Sequence, residues 1–141
     1  MEIKTITDNY AVSAQILPED VQTIADAGFT TVICNRPDAE IPPELHAAEM
    51  KKVVEAAGLK FVVNPVVHGQ LTQEILDIQA QEIEAAEGKC FAYCASGNRS
   101  TVVWALGSAG KIPTGQIIAA GEAAGYQLEG MRAQLEMLAE K

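Results

Sequence analysis

Phe91-Ala92-Tyr93-Cys94-Ala95-Ser96-Gly97-Asn98-Arg99-Ser100-Thr101-Val102-Val103-Trp104-Ala105-Leu106 is the stretch that decides how this chain is read. Phe91 to Tyr93 is a short apolar run of strand type, and Ser100 to Leu106 has the apolar spacing of a helix. The residues between them must turn a strand into a helix, so the loop amides converge on a helix N-terminus, a geometry that holds a tetrahedral anion. Cys94 ends the strand in the same partial positive charge, which favours the thiolate form of a cysteine.

Each residue type in this cradle has a mechanical reason to be there. Ala95, Ser96, Gly97 and Asn98 form the anion-binding loop, and Gly97 can take the positive φ that inward-pointing amides demand. Arg99 offers a planar fork that grips two anion oxygens at once. Ser100 either hydrogen-bonds the sulfur or caps the first helical turn. A lone cysteine reads as packing, but cysteine, glycine, arginine and serine together at a strand-to-helix turn read as a site. Cys94, Arg99 and Ser100 are therefore the candidate catalytic residues.

Outward from the cradle, short strand patterns alternate with helical ones, which predicts an α/β domain with a mostly parallel central sheet flanked by helices. Strands are expected at Ile3 to Ile6, Tyr10 to Ser13, Phe29 to Cys34, Leu59 to Val63 and around Cys90 to Tyr93. The first two should form a small edge hairpin turning at Asp8-Asn9. Helices are expected after Leu17-Pro18-Glu19-Asp20 and after Pro42-Pro43, then at Leu71 to Ala86, Ser100 to Leu106, Thr114 to Ala124 and Leu128 to Ala139. Gly28, Gly58 and Gly88 stop the first three. Ligands of such sheets gather at the carboxyl ends of the strands. Three strand ends should share one mouth: Cys34-Asn35-Arg36-Pro37, Asn64-Pro65-Val66-Val67-His68, and the cradle.

That mouth supplies second-tier candidates. Arg36 is either a second anion contact or a surface arginine paired with Asp38 or Glu40, and Asn35 stands beside it. Cys34 is either strand packing or a thiol that resolves an oxidised or persulfidated Cys94.

A length of 141 residues predicts one domain, residues 1–141. A formal net charge of −9 argues against a nucleic-acid partner, and no apolar stretch is long enough to span a bilayer. Three cysteines and no export signal predict thiols in a reducing, cytoplasmic compartment. His46 and His68 lie apart from each other and from the cysteines, so neither a metal site nor a cofactor is expected. The expected partner is a small anionic substrate, a phosphorylated or persulfidated molecule. Met131, Leu135 and Leu138 share one helical face, read as core packing, with a homo-oligomer face as the alternative.

The chain also resembles the phosphatase-like domain of beta-lactamase hydrolase-like proteins, relatives of the cysteine-dependent protein tyrosine phosphatases. The resemblance rests on Val12-Ser13-Ala14-Gln15, on Gly28 to Ile33 leading into Asn35-Arg36-Pro37-Asp38, and on Cys94 to Ser100. It implies a protein tyrosine phosphatase-like fold, Cys94 as nucleophile and Arg99 as oxyanion ligand.

Three departures keep the chemistry open. Ordinary tyrosine and dual-specificity phosphatases place five residues between cysteine and arginine, and here there are four. That length resembles rhodanese-like sulfurtransferases. The mouth segment Asn64 to Gln70 carries no carboxylate where a general acid would stand, leaving His68 and Asp38 as candidates. Tyr93 replaces the histidine that usually precedes the nucleophile. Hydrolysis through a phosphocysteine is the leading expectation, sulfur transfer through a Cys94 persulfide the alternative, and a non-catalytic anion or thiol-state sensor the third.

Overall fold

The computed structural model describes residues 1–67 and 69–140. Its centre is a five-stranded sheet in the order β1-β2-β5-β3-β4, with β1 Lys4–Thr7, β2 Tyr10–Ser13, β3 Phe29–Cys34, β4 Lys60–Val63 and β5 Lys89–Tyr93. β1 is antiparallel to β2, and every other pair is parallel. The expected hairpin is present, but of its two strands only β1 lies at an edge of the sheet, because β2 also pairs with β5.

Alternation along the buried strands sends side chains to two cores. Tyr10, Val12, Ile33, Cys90 and Ala92 pack on one face beneath α3 Gln73–Ala85, α4 Asn98–Ser108, α5 Thr114–Ala123 and α6 Arg132–Ala139. Ala11, Val32, Cys34, Phe91 and Tyr93 pack on the other against α1 Val21–Asp26 and α2 Ala47–Ala56. Among the described residues no helix is long and apolar enough to cross a membrane.

Element boundaries differ from the sequence reading where local chemistry intervenes. α2 starts at Ala47 because Pro43–Leu45 make a tight turn of helix and His46 is extended (φ −58°, ψ 154°). α3 starts at Gln73, with Thr72 Oγ1 accepting the Ile75 amide at 3.3 Å. α4 starts at Asn98, two residues earlier than expected, so Arg99 lies inside its first turn.

What fixes the strand ends is a buried cluster of carboxamides. Gln79 of α3, fully buried, donates through Nε2 to Tyr10 Oη at 3.0 Å and to Asn35 Oδ1 at 3.1 Å. Its Oε1 accepts from Asn35 Nδ2 and Asn64 Nδ2, each at 2.9 Å. Asn35 Nδ2 also reaches the Asn64 carbonyl at 2.8 Å, and Tyr10 Oη donates to the Ser100 carbonyl at 2.7 Å. The ends of β3 and β4 and the starts of β2 and α4 are thereby tied to one helix.

Replacing Gln79 by Leu strands several of these groups, and each buried group left unsatisfied costs about 1–3 kcal/mol. Gln79→Leu should lower stability by about 2–3 kcal/mol, read as a drop in urea midpoint. Gln81→Leu, on the exposed side of the same helix, should stay within about 0.5 kcal/mol.

Candidate active site

The three strand ends do share one mouth. The Asn35 amide continues the ladder to the Tyr93 carbonyl at 2.9 Å, the Asn64 amide bonds the Cys34 carbonyl at 2.9 Å, and the Val66 amide bonds the Asn35 carbonyl at 2.8 Å. The loop after β4 is thus laid along the end of β3, which leaves the Val66 carbonyl turned toward α4.

Cys94 follows β5 and is buried. The Gly97 amide donates to its sulfur at 3.1 Å. Gly97 has φ +93°, the left-handed conformation expected of it, and stands at the N-cap of α4. A side chain there would also collide with the Tyr126 hydroxyl, which donates to the Ser96 carbonyl at 2.9 Å. Amides can face an anion only if their carbonyls turn away, and Tyr126 supplies the donor for one of them. Ala95, Ser96 and Asn98 line the exposed rim.

Arg99 is almost completely buried, and its guanidinium is partly consumed. Nη1 donates to Glu40 Oε2 at 2.8 Å and to the Val66 carbonyl at 2.9 Å, and Nη2 donates to Glu40 Oε1 at 2.7 Å. This bidentate clasp takes the end of the fork. Of its five N–H donors, Nε and the second hydrogen of Nη2 have no protein oxygen among the described residues. The hydrogen bonds that Arg99 donates to Glu40 chiefly raise its pKa, against some desolvation, and Cys94 adds to this as a near neighbour. The Glu40 carboxyl is held below its ordinary value, first by Arg99 and then, against some desolvation, by Arg36.

Glu40 was not among the sequence candidates, although it stood there as one of two partners for Arg36. The structure chooses it: Arg36 Nε lies 3.2 Å from Glu40 Oε1 and its Nη2 3.4 Å from the Glu40 carbonyl. Arg36 Nη1 also reaches Gln15 Oε1 at 3.4 Å. Asp38 is engaged elsewhere, its Oδ1 accepting the Ala47 amide at 2.8 Å and so capping α2.

Ser100 meets neither expectation. Its Oγ donates to Asn35 Oδ1 at 2.8 Å and belongs to the Gln79 cluster, not to the sulfur and not to a cap. Asn35 is likewise a buried brace, saturated by Asn64, Gln79 and Ser100.

Cys34 stands in register with Tyr93, packs in the core beneath α1 and α2, and donates to the Arg36 carbonyl at 3.4 Å. Burial pushes its thiol pKa up. Burial also raises the Cys90 thiol, to about 12. All three cysteines are free thiols. His68 lies outside the described residues.

Residues 2–111 match the family model described as beta-lactamase hydrolase-like protein, phosphatase-like domain. The beta-lactamase hydrolase-like protein of Agrobacterium fabrum is 28% identical over 130 residues, covering 91% of this chain and 30% of that protein. The chain therefore spans under a third of the length of the curated relatives it matches. The crystal structure of a "putative phosphatase" from Neisseria meningitidis superposes with a TM-score of 0.82 at 32% identity, covering 98% of this chain and 99% of that one. Tk-PTP in its active form shares the fold at 17% identity, with a TM-score of 0.70 and coverage of 99% and 97%. The protein tyrosine phosphatase-like architecture that the resemblance implies is the one present, and the chain belongs to the family of phosphatase-like domains of beta-lactamase hydrolase-like proteins.

Proposed function

We propose that this domain hydrolyses phosphate esters through a phosphocysteine on Cys94. The observation that carries this reading is the disposition of Arg99. Glu40 and Val66 saturate the outer end of its fork and leave the Nε edge for an anion beside Cys94. Glu40 is then a positioning residue, and the charge-assisted contacts from Arg99 fall on the equatorial phosphoryl oxygens as negative charge redistributes.

The Cys94 thiolate attacks phosphorus, an S–P bond forms, and the P–O ester bond breaks with its electron pair leaving on oxygen. Water then attacks phosphorus, the S–P bond breaks, and inorganic phosphate and the thiolate are released. Among the described residues the proton for the leaving oxygen is scarce. Asp38 and Glu40 both serve as hydrogen-bond acceptors, and Glu40 is held ionised by two arginines. Acidic leaving groups such as phenols and acyl oxygens therefore suit the site best.

The same shortage supports a second reading. A Cys94 thiolate that attacks the outer sulfur of thiosulfate forms one S–S bond and breaks another, and sulfite leaves with the electron pair without acid help. The four-residue loop favours this reading as well.

Intact-mass spectrometry of the wild type and Cys94→Ser, with phosphate release measured alongside, separates the two. Incubation with an aryl phosphate should give phosphate release that falls roughly 10³-fold or more in Cys94→Ser, and incubation with thiosulfate should give no mass gain. A one-sulfur gain that disappears in Cys94→Ser, with negligible phosphate release, would replace hydrolysis by sulfur transfer. Anion binding without either product would leave a sensor.

Glu40→Gln should lower kcat/KM for the aryl phosphate roughly 10–100-fold, because a loosened guanidinium no longer meets the reacting anion in register. Its pH dependence has a definite sign. The Glu40 pKa is lowered in the fold, so its stabilisation is complete above the ordinary carboxylate value of about 4.3 and vanishes as pH falls through the lowered one. The stability gap between wild type and Glu40→Gln should close in that acid range, as thermal melts across pH would record.

A further inference from the structure

The cradle accounts for one tetrahedral anion and for nothing attached to it. One side of the mouth is closed by Arg99, Glu40 and Val66. On another side lies a cavity of about 370 Å³ lined by Glu2, Lys4, Ala14, Ala95, Ser96 and Tyr126, so two cradle residues form part of its wall. Its size is near the lower end for small-molecule sites, about 300–1,000 Å³.

The fold brings these residues together for a simple reason. β1 is the one antiparallel strand, so it begins where its neighbours end, and Lys4 stands opposite Val12 near the end of β2. Tyr126 enters from the turn after α5 and is fixed by its hydroxyl bond to the Ser96 carbonyl. Lys4 Nζ sits 5.9 Å from the Tyr126 ring centroid, which orients the ammonium over a rigid wall. Its ionic partner is Glu2 Oε1 at 3.5 Å, on a side chain that is 80% exposed. An exposed pair of this kind is weak and is readily exchanged for a better anion.

We infer that the cavity is a second-anion subsite, with Lys4 reading a phosphate or carboxylate carried on the same small molecule as the phosphoryl group held in the cradle. This rests on the hydrolytic reading and names its substrate class: small phosphate esters that carry a second anionic group, doubly anionic in that sense. Glu2 competes for Lys4 and so tunes the selectivity.

Phenyl phosphate, carboxyphenyl phosphate and phenylene bisphosphate serve as probes, in kcat/KM measurements and in calorimetric binding to Cys94→Ser. The wild type should prefer the two doubly anionic probes by roughly fivefold, and the ratio between those two distinguishes carboxylate from phosphate at the subsite. Lys4→Met should erase the preference, and Glu2→Gln should enlarge it. A purely structural role for either residue would move all three probes together. Absence of any preference, or a preference indifferent to both substitutions, overturns the subsite. Absence of phosphate release from every probe defeats the hydrolytic reading instead. The Lys4-dependent difference in binding to Cys94→Ser then decides the subsite separately, and lack of that difference overturns it.

Discussion

A primary carboxamide has two N–H donors and an oxygen with two lone pairs, and burying it is tolerable only when most of these are met. At Gln79 all four are. This constraint governs the rest of the molecule, because the partners are the residues at which the chain leaves the sheet. Asn35 follows β3, Asn64 follows β4, Tyr10 opens β2 and bonds the Ser100 carbonyl in the first turn of α4. Once Asn64 is tied to Asn35, the Val66 amide reaches the Asn35 carbonyl and the Val66 carbonyl reaches Arg99. The guanidinium is therefore aimed by a chain of hydrogen bonds that begins in the core.

Most of the scaffold was legible in the sequence because it is written in local signals. β3 was read at its true limits, since an apolar run follows Gly28 and ends at a polar turn. The cradle was legible for the same reason, its residues being consecutive. What escaped is non-local. Gln79 sits among polar residues of an amphipathic helix, and a glutamine there reads as solvated until its partners 44 and 69 residues away are known. Glu40 and Arg99 are 59 residues apart. Ser100 was read as bonding the sulfur or capping the first helical turn, whereas its hydroxyl faces Asn35, across the β3 end. Tyr126 lies 30 residues from Ser96 in sequence, and only the fold brings its hydroxyl to the cradle.

If an acidic chain is to hold an anion, as proposed, it must solve the problem locally. A net charge of −9 acts over distances that salt screens beyond about 8 Å, so the groups at the mouth decide. There, one carboxylate, Glu40, faces two guanidiniums, Arg36 and Arg99, leaving a surplus positive charge beside the amides of the cradle. The clasp also resolves a burial problem. A guanidinium as deeply placed as that of Arg99 needs a charged partner to remain in the fold. A partner on the opposite edge would have competed with the substrate, whereas Glu40 takes the end of the fork and spares the side next to Cys94.

The shortened loop and the occupied carboxylates act in one direction. With four residues between Cys94 and Arg99, α4 begins at Asn98, and the arginine is drawn into the first turn of the helix. The helix and the clasp together fix Arg99, so stabilisation of negative charge is available before any substrate arrives. Among the described residues proton donation is not similarly provided: Asp38 holds the start of α2 and Glu40 holds Arg99. A site with a strong oxyanion contact and a scarce proton selects reactions in which the leaving group carries its own negative charge. Under the proposed chemistry, acidity of the leaving group, more than the depth of the pocket, would set which esters turn over, and this is the property that phosphoryl and sulfur transfer at this cysteine would have in common.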